Sequence, residues 1–215
     1  MDKTKSLNKI RREYKLNKLS EETVQHNPFN QFEKWFNQIL KMELAEPNAM
    51  VLATADKKGK PSVRVVLIKG ISKKGITFYT NYKSRKGREL SQNSLAALLF
   101  YWAGLEQQIR IEGKIKKISR TESQKYFDTR PVESRIAAWA SAQSKEITSR
   151  EYLEKRFKVF EKKFSGVKIP LPLDWGGFRL VPNYFEFWQG RENRMHDRIC
   201  YKKKKRNWKI FRLAP

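Results

Sequence analysis

The sequence predicts a mainly β fold with flanking helices, in which a barrel-like sheet forms a single domain. Two groups of short segments, rich in β-branched and aromatic residues, have the length of strands and are separated by turns that contain glycine. Amphipathic helical patterns lie between and beside these groups. No internal repeat and no long linker interrupts the 215 residues. These three observations together predict a sheet closed toward a barrel and covered by helices.

The N-terminal 27 residues are predicted to form a mobile basic arm, because they are polar and have little periodic apolar content. Residues 28–215 are predicted to form the folded domain. Asn27 and Pro28 mark a helix start, since asparagine is a good N-cap and proline suits the first helical position. Apolar residues then recur at helical spacing, which predicts an amphipathic helix through about residue 45.

The first group of strands is predicted to form an antiparallel meander. Its segments are followed by glycine-containing turns at residues 57–60 and 72–75. The helix at 121–130 is predicted to be capped by Thr121 and ended by Pro131. In chain order the predicted strands are 49–55, 61–69, 76–80, 95–102, 107–118, 177–182, 184–189, 194–202 and 208–213, and the remaining helices are 84–93, 134–141 and 148–164.

Composition excludes several classes of protein. Cys200 is the single cysteine, so an intrachain disulfide and a cysteine-based zinc cluster are excluded, and no metal site is predicted. No apolar stretch is as long as a membrane span, and the N-terminus lacks the apolar core of a secretion signal. We therefore expect a cytoplasmic protein.

The formal net charge of +25 raises the alternative of a nucleic-acid-binding protein. The dense basic run at residues 202–206 supports it, and such binding would depend steeply on salt. However, acids are interspersed through the basic segments and no recognised nucleic-acid-binding motif occurs. Specific binding of nucleic acid is not predicted, and most of the excess is expected to be lysine that solvates the surface.

Arg194, His196 and Arg198 form a candidate ligand-binding row. Side chains alternate along a strand, so these three would share one face of the predicted strand 194–202. Two guanidiniums beside an imidazole suit a planar anionic ligand. The alternative is a solvated strand face with scattered charges.

A candidate phosphate cradle lies where the strand 76–80 gives way to a helix near Ser84. Helix N-termini expose unpaired N–H groups that favour anions, and Thr80, Arg85 and Lys86 add a hydroxyl and two charges. Positive charge at this end opposes the helix dipole unless an anion compensates. The alternative is a capped surface helix.

A second candidate phosphate site comprises Tyr126, Arg130 and Ser134. Tyr126 and Arg130 are four residues apart and share one helix face, although an exposed Tyr/Arg stack would have the same spacing.

Arg64 and Lys69 would lie on opposite faces of a strand in which side chains alternate strictly. Both could reach one site only through a bulge or if one of them lies at the strand end. No nucleophile with a neighbouring base is visible, so an enzyme with these residues would depend on a cofactor.

These segments, in this order, resemble the pyridoxine/pyridoxamine 5′-phosphate oxidase family almost from end to end. The residues that carry the resemblance are Arg11-Arg12-Glu13-Tyr14, Arg64-Val65-Val66-Leu67-Ile68-Lys69, Phe78-Tyr79-Thr80-Asn81, Ser84-Arg85-Lys86, Trp175-Gly176-Gly177-Phe178-Arg179, Phe185-Glu186-Phe187-Trp188-Gln189, Arg194-Met195-His196-Asp197-Arg198 and Arg212-Leu213-Ala214-Pro215. One departure is Glu46 before Pro47, where the family often has aspartate, so no contact is assigned to Glu46.

The resemblance implies an FMN-binding split β-barrel that forms a homodimer with sites at the subunit interface. It assigns FMN to Arg64, Val65, Val66, Leu67, Ile68, Lys69, Tyr79, Thr80, Arg85, Lys86, Gln108, Gln143, Ser144, Trp188 and Arg198. It assigns the substrate to Arg11, Arg12, Glu13 and Tyr14, which would fold over the site as a lid, and to Lys69, Tyr126, Arg130, Ser134, Arg194, Met195 and His196. Among these, Arg194 and His196 would be catalytic.

The activity implied by the resemblance is oxidation of pyridoxamine or pyridoxine 5′-phosphate to pyridoxal 5′-phosphate. A hydride would pass from the exocyclic carbon of the substrate to FMN, and oxygen would be reduced to hydrogen peroxide. A flavin-binding relative that acts on a different substrate is the alternative within this fold. The phosphate-binding set of Tyr126, Arg130 and Ser134 argues against that alternative.

Overall fold

Strands dominate the fold and helices flank them. A computed structural model describes residue 9 and residues 11–215, so residues 1–8 and 10 of the predicted arm lie outside the described part. The helices in this part are α1 (Pro28–Leu40), α2 (Arg85–Gln92), α3 (Arg120–Asp128), α4 (Val132–Ala140) and α5 (Arg150–Lys163). The strands are β1 (Ala49–Ala55), β2 (Pro61–Leu67), β3 (Gly70–Ser72), β4 (Gly75–Asn81), β5 (Leu95–Trp102), β6 (Gln107–Lys117), β7 (Trp175–Gln189), β8 (Asp197–Lys204) and β9 (Asn207–Arg212).

The described strands are linked by hydrogen bonds in the order β2-β1-β5-β6-β7-β4-β3, and β8 and β9 continue from β7. The antiparallel hairpins β1–β2 and β3–β4 confirm two of the predicted turns. The predicted meander was wrong, because β2 pairs with β1 at one end of this strand order, whereas β3 and β4 lie at the other end, where β4 pairs with β7. The hydrogen-bonding partner of the backbone changes between Ile68 and Lys69. The Ile68 N–H donates to the Asn48 carbonyl at 2.9 Å, whereas the Lys69 N–H donates to the Thr77 carbonyl at 2.9 Å.

Close contacts divide the described chain into two compact units. The first unit contains the described residues up to Pro47, Leu99–Ile111 and Tyr184–Pro215, and the second contains Asn48–Leu98 and Glu112–Asn183. Strands β5, β6 and β7 each contribute residues to both units. The prediction of one domain over residues 28–215 stays a prediction.

The first unit has an aromatic core built on α1. The Asn27 side chain caps this helix by accepting from the Phe29 N–H at 2.9 Å, as predicted. Phe32 is fully buried and meets Phe100 edge to face, with ring centroids 5.1 Å apart. Trp35 packs in the same manner on Phe187 at 5.3 Å. Apolar residues at helical spacing therefore anchor α1 to this core.

The second unit has its own core where α3 and α4 meet the start of β7. Its buried members are Phe127, Ile136, Phe164, Ile169, Leu171 and Trp175. Gly177 in β7 is required by close packing, because a Cβ there would lie 2.4 Å from Ile118. The Tyr82 hydroxyl donates to the Gly177 carbonyl at 3.2 Å, so the loop after β4 is fixed against β7.

Several predicted boundaries were wrong. Helix α1 ends at Leu40 rather than near residue 45. Helix α3 is capped by Ser119, whose hydroxyl accepts from the Glu122 N–H at 3.0 Å, and not by Thr121. The strands predicted at 177–182 and 184–189 form the single strand β7, which continues through Pro182.

The predicted strand 194–202 was also wrong at its start. Residues Glu192–Arg194 form a short 3₁₀ turn, and the Met195 N–H donates to the Glu192 carbonyl at 3.0 Å. Asn193 and Arg194 have positive φ angles of 55° and 61°, which no strand can contain. Strand β8 begins only at Asp197, so Arg194, His196 and Arg198 do not share one strand face.

In the described part of the chain, no helix combines the length and the apolar character needed to cross a membrane.

Replacing Phe32 by alanine should lower the free energy of unfolding by about 3–5 kcal/mol, because a buried ring is lost and a cavity remains. Leu40→Ala is the matched control on the same helix, since Leu40 is 49% exposed, and it should change stability by at most about 0.5 kcal/mol. Denaturant titration measures both values. Equal losses in the two variants would contradict the assignment of this core.

Candidate functional site

A cavity of about 640 Å³ opens in the second unit. This volume lies in the range of about 300–1,000 Å³ usual for small-molecule sites. Most of its lining residues were predicted site residues: Val65, Val66, Leu67, Lys69, Tyr79, Thr80, Lys86, Tyr126, Arg130, Ser134 and Gln143. Thr129, Pro131 and Trp175 complete the lining and were not predicted. Both predicted phosphate-binding sets therefore contribute to one cavity.

An aromatic stack forms one side of this cavity. The rings of Tyr79 and Tyr126 are nearly parallel, with centroids 3.9 Å apart, and Trp175 stacks on Tyr79 at 5.5 Å. The guanidinium of Arg130 lies over the Trp175 ring, 4.8 Å from its centroid. Stacking on an aromatic face holds a guanidinium in place without consuming its N–H donors.

Arg130 has an unused donor at this site. Its Nη1 atom is buried and has no hydrogen-bond partner. Burial lowers the pKa of Arg130, and the neighbouring Tyr126 hydroxyl only partly opposes the shift. A buried donor without an acceptor is costly, so the arrangement suits an anionic ligand that supplies the missing oxygen.

The N-terminus of α2 supplies the second basic group. Ser84 caps the helix by accepting from the Gly87 N–H at 3.3 Å. Lys86 is buried, and its ammonium donates to the Thr80 hydroxyl at 3.2 Å. Burial lowers the pKa of Lys86, the Arg64 charge adds to the effect, and Glu89 opposes it. A helix N-terminus with a buried ammonium has the chemistry of a phosphate site.

Glu89, which was not predicted, lies under the basic residues of this helix end. Its carboxylate accepts from Arg85 Nε at 2.8 Å and from Arg64 Nη2 at 3.2 Å. The hydroxyls of Thr54 and Ser62 donate to it as well. Burial raises the pKa of Glu89, but these hydrogen bonds and the Arg64 charge outweigh burial and hold the pKa at about 2. Glu89 is the anion that compensates Arg85 in the first helical turn.

Lys69 and Arg64 occupy different surroundings, because Lys69 lies at the strand end, as one of the two predicted alternatives required. Lys69 lies beyond the end of β2 and lines the cavity. Arg64 lies within β2, where it donates to the Leu52 carbonyl at 3.2 Å and pairs with Glu89. Ile68 between them belongs to the core, at 7% exposure.

The segment after α4 brings Gln143 to the cavity. Its side-chain oxygen accepts from the Thr80 hydroxyl at 3.1 Å and from the Asn81 N–H at 3.3 Å. The neighbouring Ser144 is exposed and has a φ of +67°. Gln143 therefore has a place among the lining residues, whereas Ser144 does not line this cavity.

The remaining predicted site residues belong to the first unit. His196 lies beside Trp188, with ring centroids 4.7 Å apart, and Tyr14 contacts both rings at 5.6 Å. A Cβ at Gly190 would lie 2.7 Å from Tyr14, so the close approach of Tyr14 requires glycine there. Tyr14 is thus packed against Trp188, His196 and Gly190, and its covering role stays a prediction.

His196 is held in one tautomer. Its Nδ1 atom accepts from the Arg191 N–H at 3.1 Å, so the ring proton is on Nε2. Burial lowers the pKa of His196, Arg194 lowers it further, and Asp197 opposes the shift. A neutral imidazole that donates through Nε2 is therefore the state near neutral pH.

The Tyr14 segment is anchored by another acid that was not predicted. The buried carboxylate of Glu106 accepts from the Lys15 N–H at 2.9 Å and from the Leu16 N–H at 3.1 Å. Arg12 also approaches it, with Nη2 3.4 Å from the carboxylate. Two backbone hydrogen bonds to one buried acid fix the position of this segment.

Arg198 is fixed by Glu186. Its Nε donates to the Glu186 carboxylate at 2.8 Å, and Nη1 donates to the Ala214 carbonyl at 2.8 Å. The hydrogen bond with Glu186 raises the pKa of Arg198, despite burial. The other first-unit residues predicted for the site are Arg194 and Met195, which are exposed, the exposed Arg11, Arg12 and Glu13, and the half-buried Gln108.

Sequence reasoning missed Trp175, Glu89 and Glu106. Trp175 occurred in a quoted segment, but its stack with Tyr79 and Tyr126 joins distant parts of the chain. The position of Glu89, four residues after Arg85, was a local signal of an i,i+4 ion pair. Glu106 gave no such signal, because its partners lie about ninety residues earlier in the chain.

Family models and curated relatives match nearly the whole chain. The family model described as pyridoxamine 5′-phosphate oxidase matches residues 36–164, and the model described as the pyridoxine 5′-phosphate oxidase C-terminal dimerisation region matches residues 175–215. A pyridoxine/pyridoxamine 5′-phosphate oxidase of Nostoc punctiforme is 53% identical over 216 residues, covering all of both chains. The corresponding protein of Cupriavidus necator is 52% identical over 207 residues, covering 96% of this chain and 97% of the relative.

Solved structures show the same fold. The crystal structure of PhzG from Burkholderia lata, in complex with tetrahydrophenazine-1-carboxylic acid, has a TM-score of 0.87 at 32% identity and covers 93% of this chain and 99% of its own. A pyridoxamine 5′-phosphate oxidase-related, FMN-binding protein of Nostoc punctiforme has a TM-score of 0.70 at 16% identity, covering 88% and 98%. The predicted fold class, a mainly β split barrel with flanking helices, is confirmed.

The lowered pKa of Glu89 predicts a pH-dependent contribution to stability. A depressed carboxylate pKa stabilises the fold fully above the ordinary value of 4.5 and loses this effect as the pH falls toward about 2. Glu89→Gln should therefore be less stable than the unchanged chain at pH 7, and the difference should shrink between pH values of about 4.5 and 2. Unfolding titrations at several pH values measure it. A difference that stays constant over this interval would contradict the assignment.

Proposed function

Since this chain belongs to the pyridoxamine 5′-phosphate oxidase family, we propose that it converts pyridoxamine 5′-phosphate or pyridoxine 5′-phosphate to pyridoxal 5′-phosphate, with oxygen reduced to hydrogen peroxide. The enzyme is an FMN-dependent oxidase of that family. FMN supplies the hydride acceptor for oxidation of the exocyclic carbon of the substrate. The observation that carries the proposal is the cavity that gathers Lys69, Lys86 and Arg130 with five hydroxyl-bearing side chains.

The residues of the second unit fit a phosphorylated cofactor and a phosphorylated substrate. Lys86, Thr80 and the N-terminus of α2 would hold the phosphate of FMN, since they combine a buried ammonium, a hydroxyl and helical N–H groups. Arg130, Tyr126 and Ser134 would hold the substrate phosphate. The unpartnered Nη1 of Arg130 supports this role, because an incoming phosphate oxygen would satisfy it.

Residues of the first unit would act on the substrate ring. Arg194, exposed at its turn, would place a guanidinium against the substrate. His196 would donate a hydrogen bond from Nε2 and so orient the ring. Trp188 and Arg198 would contact FMN, and Tyr14 would cover the bound substrate and exclude water.

We also propose that the chain works as a homodimer in the cytoplasm, with each site completed by the partner subunit. The match of residues 175–215 to a dimerisation region supports the dimer.

A second candidate is a flavin oxidase whose substrate carries a carboxylate in place of a phosphate. The 32% identity with PhzG, which was solved with a tricyclic carboxylic acid, favours it. The position of Arg130 and Ser134 in the cavity favours the phosphate instead. The two candidates differ in whether removal of the substrate phosphate abolishes turnover.

Purified protein should carry the yellow absorption of a bound flavin, and pyridoxamine 5′-phosphate should bleach it under anaerobic conditions. The matched control is pyridoxamine without its phosphate, which should bleach the flavin far more slowly because Arg130 has no anion to hold. Stopped-flow absorbance measures both rates. A colourless protein that takes up no added FMN would exclude the oxidase, and equal rates would exclude the phosphate site.

Arg194→Ala should leave flavin bound but lower turnover at least about tenfold, or about 1.4 kcal/mol of transition-state stabilisation. Arg206→Ala is the control, because Arg206 is an exposed arginine in the turn after β8, and its turnover should not change. Steady-state oxygen consumption and the flavin spectrum give the two readouts. Unchanged turnover in Arg194→Ala would remove this residue from catalysis.

A further inference from the structure

We propose that Glu89 is a positioning residue that sets Arg64 and Arg85 in place to receive the phosphate of FMN. This inference rests on the proposed function and deepens it. Glu89 itself would not contact the cofactor. It would act through the two guanidiniums, which come from strand β2 and from the first turn of helix α2.

The two carboxylate oxygens divide the arginines between them. Oε1 accepts from Arg85 Nε at 2.8 Å, and Oε2 accepts from Arg64 Nη2 at 3.2 Å. The hydroxyls of Thr54 and Ser62 donate to Oε2 at 2.5 and 2.6 Å and fix the carboxylate from β1 and β2. The Glu89 side chain is 7% exposed, so it is held in one orientation by the fold and does not depend on solvent.

Arg85 keeps its terminal donors for a ligand while it is held, whereas Arg64 is held through its terminal nitrogens. Arg85 is bound to Glu89 through Nε, which leaves its terminal amino groups out of this ion pair, and its side chain is 54% exposed. Arg64 is fixed additionally by the Leu52 carbonyl and by the Thr54 and Ser62 hydroxyls, so that Nε is the group it keeps for a ligand. Lys86, the next residue after Arg85, lines the cavity. Pre-orienting long side chains in this way reduces the conformational entropy that a ligand must otherwise overcome.

The charges at this helix end match a phosphate monoester. Arg64, Arg85 and Lys86 contribute three positive charges and Glu89 one negative charge, which leaves a net charge of +2. A phosphate monoester carries about −1.5 to −2 at neutral pH. Removal of the Glu89 charge would raise the attraction for phosphate but release both arginines. The positioning effect and the charge effect therefore have opposite signs.

Flavin binding to the apoprotein separates these effects. Dissociation constants for FMN and for riboflavin, which lacks the phosphate, are measured by quenching of flavin fluorescence in the unchanged chain, in Glu89→Gln and in Glu122→Gln. Glu122 is the matched control because it also pairs with an arginine of the second unit, Arg179. We expect Glu89→Gln to weaken FMN binding at least about tenfold, or about 1.4 kcal/mol. Riboflavin binding, and both flavins in Glu122→Gln, should change less than about twofold.

Tighter or unchanged FMN binding in Glu89→Gln would overturn the proposal, and so would equal weakening for FMN and riboflavin, which indicates general loss of structure. If Glu89→Gln folds poorly, Arg85→Ala alone tests the contact that Glu89 positions: it should weaken FMN binding and change riboflavin binding less than about twofold, and equal losses for both flavins would overturn the proposal. In the Arg85→Ala background, Glu89→Gln should cost FMN affinity less than it does alone, whereas additive losses would overturn the role through Arg85. An unchanged chain that binds neither flavin would overturn the proposed function as well.

Discussion

The second unit is organised around positive charge that is removed from water without enough negative charge to balance it. Lys86 is buried and its ammonium is held by the Thr80 hydroxyl, and Arg130 lies over Trp175 with a buried unpartnered donor. Within the described residues neither cation forms an ion pair with a carboxylate. Such cations are costly in isolation, so they favour the binding of an anion over an empty cavity. This imbalance supports the proposal that the cavity binds an anionic ligand.

Local changes of the backbone place two of the proposed ligand-binding residues, Lys69 and Arg194. At Ile68 and Lys69 the chain leaves β1 and joins β4, and this exchange places Lys69 beyond the regular alternation of β2. The left-handed Asn193 and Arg194 similarly end one strand before another begins, and they leave Arg194 exposed. Irregular positions of this kind allow side chains to depart from the faces that a strand would impose. Lys69 and Arg194 therefore lie just outside regular strands, whereas most other proposed ligand contacts lie within strands or helices.

How much of the fold and of the site could be predicted from the sequence depended on the separation of the interacting residues along the chain. The Asn27 cap was predicted correctly, because its signal is local. The shared helix face of Tyr126 and Arg130 was wrong, because α3 ends at Asp128 and Arg130 lies beyond it, although both side chains line the cavity. The shared strand face of Arg194 and His196 was wrong, because alternation is lost where Asn193 and Arg194 adopt positive φ. Asparagine tolerates this conformation, but arginine gives no such signal. Glu106 was missed because a buried acid that accepts backbone N–H groups of a distant segment leaves no spacing pattern.

The overall charge and the charge at the cavity carry different information. The net charge of +25 includes exposed lysines such as Lys202 to Lys205, and these would interact with any polyanion in a salt-dependent way. At the N-terminus of α2, by contrast, Glu89 reduces three cations to a net charge of +2 and fixes two of them in direction. Selectivity for one phosphate requires this reduction, because excess undirected charge attracts anions without distinguishing them. In its proposed role, the buried acid Glu89 is thus part of anion recognition, because it fixes the directions of Arg64 and Arg85.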